Sequence, residues 1–147
     1  MYQRILIATD GSALSRKAVD DGIHLATLAG AQVIALYVVP RYPVSYFEGG
    51  LSIPASTVAA VEKRWAEAGQ AVVNEVKASA EAQGVKARGL TKNSDHVSET
   101  IISTARKFKC DLIVMASHGR KGIKRVLLGS ETTQVLTHSH IPVLVLR

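Results

Sequence analysis

The sequence predicts an α/β domain of Rossmann-like build: a five-stranded parallel sheet with helices on both faces, formed by one domain over residues 1–147. Three observations carry this expectation. Strand-sized apolar runs alternate with segments of helical period in the order β-α-β-α-β-α-β-α-β. The runs are continuously apolar, as strands covered on both faces are, and buried strands joined by helical crossovers run parallel with right-handed connections. The length of 147 residues is that of a single domain. Hydrophobic residues make up 47% and aromatics only 5%, so the core must come from Val, Ile, Leu and Ala.

The first strand is Arg4-Ile-Leu-Ile-Ala-Thr9, and Asp10-Gly11-Ser12 switches the pattern to a helix. On that helix Ala18, Gly22, Leu25, Ala26 and Ala29 form a small-residue stripe beside Val19 and Ile23. Ser12 or Ser15 is placed to cap its start, and Gly30 suits the left-handed position that ends it. Val33 to Val39 is the second strand, stopped by Pro40. Residues 40–54, with three Pro, two Gly, Tyr42, Tyr46 and Phe47, read as a long loop of the kind that forms lids or binding segments.

A long helix follows from Ser56 to about Gln83, with Val58, Val61, Trp65, Ala68, Val72 and Val76 on its apolar face, Trp65 in the core and Gly69 as a bend. Gly84 closes it. Val85 to Thr91 alternates like an edge strand. Ser94 or Asp95 is expected to cap a third helix, on which Val97, Ile101, Ile102, Ala105 and Phe108 share a face. Asp111 to Ala116 is the fourth strand, Ser130 to His138 a short helix, and Pro142 to Arg147 the last strand.

The charge balance is +6, which admits nucleic acid and acidic small molecules as partners. Lys and Arg are nevertheless spread along the chain, and no helix-turn-helix, zinc-finger or stacking-aromatic pattern accompanies the cluster Arg120, Lys121, Lys124 and Arg125. Nucleic acid is therefore disfavoured. Cys110 is the lone cysteine, placed just before a buried strand as a small hydrophobe, and it favours a reducing compartment. No stretch approaches the ~18 consecutive apolar residues of a membrane span, and the N-terminal run is shorter than a signal core of ~7–15 residues. A cytoplasmic protein without membrane attachment is the expectation.

In a parallel sheet of this kind ligands bind beyond the carboxyl ends of the strands, where the strand order reverses. That edge carries Thr9, Asp10, Gly11 and Ser12 after the first strand and residues 116–130 after the fourth. The latter stretch is a glycine-bearing turn, a basic and apolar excursion, then Gly129-Ser130 opening a helix. A helix N-terminus offers unpaired N–H groups and partial positive charge, which suits phosphate. Ser130 and Thr132 add hydroxyls, Gly119 and Gly129 let backbone amides approach an anion, and Arg120 adds charge. His118 is equally placed to touch a phosphate or to pack on the turn.

Ala116-Ser-His-Gly119, nine residues, and Gly129-Ser130 resemble the G-x2-G-x9-G-S/T motif of nucleotide-binding universal stress proteins. The segments Ile5 to Ser12 and Ile141 to Val145 are similar to that family too, so the resemblance spans the whole chain and points to the ATP-binding-motif subgroup. It implies the strand order 3-2-1-4-5 and ATP in the crevice. Asp10 and the backbone near Ala116 would face the ribose, and the Val38 backbone the adenine. Gly119, Arg120, Gly129, Ser130 and the amides of Glu131 and Thr132 would hold phosphates, with Mg²⁺ bridging phosphate oxygens. It also implies a homodimer paired through the C-terminal strand, whose apolar edge needs cover.

One departure stands in the motif, whose first glycine is Ala116. Where that position serves close approach a methyl is tolerated; where it needs positive φ, alanine costs of order 1 kcal/mol. No G-x4-G-K-S/T loop, G-x-G-x-x-G turn or G-x-S-x-G elbow is present. No acid/base pair flanks the phosphate loop either, so binding is better supported than turnover, and any ATP hydrolysis is expected to be slow. His138 and His140, at a helix end, suit dipole complementation better than metal ligation. The rival readings are a dimeric interaction protein that binds no nucleotide, and an ATP-cleaving enzyme.

Overall fold

A computed structural model describes residues 1–43, 53–119 and 128–147. Strand β1 (Arg4–Ala8) organises it: Ile5 and Ile7 face one helical layer and Leu6 the other, and all three are fully buried. Around it the described residues form α1 (Ala13–Ala29), β2 (Gln32–Val39), α2 (Ala55–Ala82), β3 (Ala87–Asn93), α3 (Val97–Lys107), β4 (Leu112–Ala116), α4 (Ser130–His138) and β5 (Val143–Leu146). All pairings are parallel, in the order β3-β2-β1-β4-β5. No helix among the described residues is long and apolar enough to cross a membrane.

Alternation along the strands builds two cores. Val33, Ala35, Tyr37, Leu112 and Val114 join Ile5 and Ile7 under α1 and α2. Ile34, Leu36, Ile113 and Met115 join Leu6 under α3 and α4. The small-residue stripe of α1 has a steric reason: a Cβ on Gly22 would lie 2.8 Å from Ile7 Cδ1, so only glycine lets α1 settle this close to β1. Arg4 ties the amino ends of the sheet together. Its amide donates to Asp111 Oδ1 at 3.1 Å, and its Nη1 donates to the Phe108 carbonyl at 2.6 Å.

Three helices end in the same way, with a residue in the left-handed region at or just after the cap and the next residue buried. At the end of α1, Gly30 (φ 67°) donates to Thr27 O and Ala31 to Ala26 O; at the end of α2, Gly84 (φ 78°) donates to Glu81 O and Val85 to Ala80 O. After α3 the same pair of bonds runs from Lys109 to Arg106 O and from Cys110 to Ala105 O. Lys109, at φ 54°, thus occupies a glycine position.

Several expectations are corrected. Neither Ser94 nor Asp95 caps α3: Ser94 Oγ accepts from the His96 amide at 3.0 Å, and Asp95 Oδ1 accepts from the Arg41 amide at 3.1 Å. The buried face of α2 is Gly69, Val73, Val76 and Ala80, while Ala68 is exposed. Trp65 is half-buried at the rim of the core, stacked on Tyr42 with ring centroids 6.1 Å apart. Gly69 is a contact point within one continuous helix, since a Cβ there would lie 2.6 Å from Tyr37 Cδ1. The third strand begins at Ala87, two residues late, because Val85 belongs to the helix-ending turn. Ser12 caps α1, its side chain accepting from the Ser15 amide at 3.3 Å. The Gly30 ending and the edge positions of β3 and β5 are as expected.

Two predictions follow from these packing arguments. Replacing Lys109 by glycine removes the left-handed strain of a side-chain-bearing residue, and stability in urea is expected to rise by about 1 kcal/mol. An unchanged or lower midpoint contradicts that account. Cys110 is buried, and desolvation raises its thiol from 9.0 to about 11, with Arg4 partly offsetting and Asp111 adding. A thiol reagent at pH 8 should leave the native protein unlabelled and label the unfolded chain fully. The unfolded thiol ionises first, so the stability tied to the neutral thiol is intact below pH 9.0 and lost as pH climbs through about 11.

Candidate functional site

Strand order reverses between β1 and β4, whose carboxyl ends open side by side. The turn after β1 is built from its own hydroxyls. Thr9 is buried; its amide donates to Leu36 O at 3.0 Å, and its Oγ1 lies 3.1 Å from Ser15 Oγ and accepts from the Gly11 amide at 3.2 Å. Gly11 turns the chain at φ 76°. Asp10 Oδ1 accepts from the Ser12 amide at 2.9 Å, an Asx turn that orients the carboxylate. Thr9, Ser12 and the Asp10 carboxylate thus each commit an oxygen to the turn.

That carboxylate lies across the loop after β4. A Cβ on Gly119 would fall 2.9 Å from Asp10 Oδ2, so the two motif segments touch at this point. The second glycine does related work. The Gly129 amide donates to Ser117 O at 2.7 Å, and a Cβ on Gly129 would lie 3.2 Å from that same oxygen. Thr132 Oγ1 donates to Ala116 O at 2.9 Å and to Ser117 O at 3.2 Å, and both Thr132 and Ser117 are 2% exposed. The start of α4 is thereby stitched to the end of β4.

This revises the expected donors. The Gly129 amide and the Thr132 hydroxyl are engaged inside the fold, so what α4 presents is the main chain of its first turn, Ser130, Glu131 and Thr132, ahead of the first helical bond from Thr133 N to Gly129 O. The Ser130 side chain is exposed. Ala116 ends β4 opposite Leu146, buried and without positive φ, so its methyl costs no backbone strain. His118 is half-buried on the turn, with Nδ1 3.0 Å from Ser117 Oγ. Val38 sits at the carboxyl end of β2, half-buried against the α3/α4 layer. Arg120, Lys121, Lys124 and Arg125 lie outside the described residues, as do residues 44–52 of the long loop.

Two roles escape a sequence reading, that of Ser117 and that of the Glu131 side chain. Ser117 is the junction between β4 and α4, but its serine is unremarkable in sequence because the partners lie at residues 129 and 132. The Glu131 carboxylate accepts from the Ser98 amide at 3.2 Å, supplying the cap that the residues before α3 do not. His138 Nδ1 lies 3.0 Å from Gln134 O on its own helix, and among the described residues no three His, Cys, Asp or Glu side chains gather as for a metal.

Comparison with known proteins agrees with this architecture. A universal stress protein family model matches residues 1–147. The chain is similar to universal stress protein MJ0531 of Methanocaldococcus jannaschii, 38% identical over 148 residues, covering 100% of this chain and 83% of that protein. Among solved structures it resembles protein MJ0577 of the same organism, with TM-score 0.84, 28% identity, and coverage of 99% of this chain and 96% of that one. It also resembles a universal stress protein solved in complex with cAMP, with TM-score 0.72, 26% identity, and coverage of 99% and 97%. With the family model matching the chain from end to end, the protein belongs to the universal stress protein family.

Proposed function

We propose that this protein binds ATP, together with Mg²⁺, in the crevice between β1 and β4 and acts in the cytoplasm as a nucleotide-responsive stress-response module with slow hydrolysis at most. The observation that carries this reading is the contact of Asp10 with Gly119 beside the N-terminus of α4, which gathers the described motif residues at one sheet edge. First-turn amides and the helix dipole supply an anion site, and a carboxylate near it suits ribose hydroxyls. The family member solved with cAMP supports adenine nucleotides as the ligand class. In this reading Val38 lines the adenine side, Asp10 the ribose, and Gly119 with the main chain of residues 130–132 the phosphates. Arg120, His118 and the backbone of Ala116 complete the set.

Mg²⁺ fits this donor set as a nucleotide-borne ion. It would be held by phosphate oxygens and water, with few protein ligands. It neutralises phosphate charge, while the chain's own groups position the tail.

Titration calorimetry with ATP and millimolar Mg²⁺ tests the proposal: saturable heat is expected, and the absence of both heat and competition with labelled nucleotide would overturn it. Replacing Gly119 by alanine should weaken ATP binding by about tenfold, ~1.4 kcal/mol, because the new methyl meets Asp10 Oδ2 at 2.9 Å. The melting temperature of the unliganded variant should stay within ~3 °C of the parent, since the loop lies outside both cores.

We also propose a homodimer through β5, whose outer edge pairs with no other strand among the described residues and which carries Leu144 37% exposed. Light scattering at micromolar concentration should give twice the 15.7 kDa chain mass, and a purely monomeric species contradicts it.

A further inference from the structure

Building on the nucleotide reading above, we infer that Glu131 is a specificity-determining residue: its carboxylate, held by α3, sets how steeply the crevice's affinity depends on the charge of the phosphate tail. Ser94 is engaged with the His96 amide, Asp95 with the Arg41 amide, and His96 makes no side-chain cap. The Ser98 amide, one of the first-turn donors that a helix cannot satisfy internally, donates instead to Glu131 Oε2 at 3.2 Å.

Glu131 is also the second residue of α4 and part of the first turn assigned to the phosphates. One carboxylate therefore stands between two helix N-termini. It complements the dipoles of both helices, and for the same reason it opposes any anion arriving at α4. Its capping bond keeps it there; a carboxylate without that bond would swing into solvent, where water and salt screen it. The opposition scales with ligand charge, so a triphosphate meets more of it than a monophosphate. Glu131 thus compresses the advantage that a long phosphate tail gains from the helix terminus.

The test uses the full chain and three forms: wild type, Glu131→Gln and Glu131→Ala. Glutamine keeps an oxygen for Ser98 and removes the charge, whereas alanine removes both. In calorimetry at low salt without Mg²⁺, Glu131→Gln should strengthen ATP binding about 3–10-fold and AMP binding less than ~2-fold. The gain should shrink toward parity in 0.5 M NaCl, where screening shortens to roughly 4 Å. Amide exchange at Ser98 should speed up in Glu131→Ala and stay near wild type in Glu131→Gln. An ATP-to-AMP preference unchanged by Glu131→Gln overturns the inference while leaving nucleotide binding standing, and unchanged Ser98 exchange in Glu131→Ala overturns its capping premise. A wild type that binds no nucleotide overturns the reading of the site and this inference with it.

Discussion

The carbonyl of Ser117 accepts two hydrogen bonds, from the Gly129 amide at 2.7 Å and from the Thr132 hydroxyl at 3.2 Å. The Ser117 amide meanwhile donates to Leu146 O at 2.8 Å, continuing the ladder to β5. One residue thereby joins β4, β5 and α4 just past the end of the strand. Because Thr132 and Ser117 are buried, these bonds form away from competing water, where an unmade partner would cost roughly 1–3 kcal/mol. The position of the α4 N-terminus, and with it that side of the crevice, depends on this junction.

Crowding, more than backbone freedom, explains the glycines at the crevice. Gly119 and Gly129 have ordinary backbone angles, yet a methyl at either would meet Asp10 Oδ2 or Ser117 O. The same logic operates in the cores, where Gly22 admits Ile7 and Gly69 admits Tyr37. Left-handed geometry matters at Gly11 and at the helix ends, where Lys109 shows that the fold tolerates a side chain at some cost. Ala116 belongs to neither class, since it lies in the β4 ladder opposite Leu146 without positive φ.

Hydrogen bonds also link the crevice to more distant elements. Glu131 reaches α3 through Ser98, Asp95 reaches the Arg41 amide, and Glu62 of α2 accepts from the Tyr42 amide at 3.1 Å beside Trp65. Arg41 and Tyr42, which follow Pro40 after β2, are thus held by the turn before α3 and by α2.

Periodicity made the nine elements of the described residues and the carboxyl-edge crevice legible, because runs such as Arg4–Ala8 and Leu112–Ala116 are apolar enough to require cover on both faces. Motif spacing marked Asp10, Gly119 and the Gly129-Ser130 helix start, since those constraints are local or repeat across a family. What stayed hidden depends on partners far apart in the chain. The rotation of α2 toward Gly69 and Val73 follows from the surface that Tyr37 offers, and the capping of α3 by Glu131 joins residues 33 positions apart. By itself the sequence determined the layering, the elements and the sheet edge at which the motif segments meet. Only the tertiary structure decided which hydroxyls and amides face that edge and which are consumed in building it, because hydrogen-bond partners are chosen by distance in space.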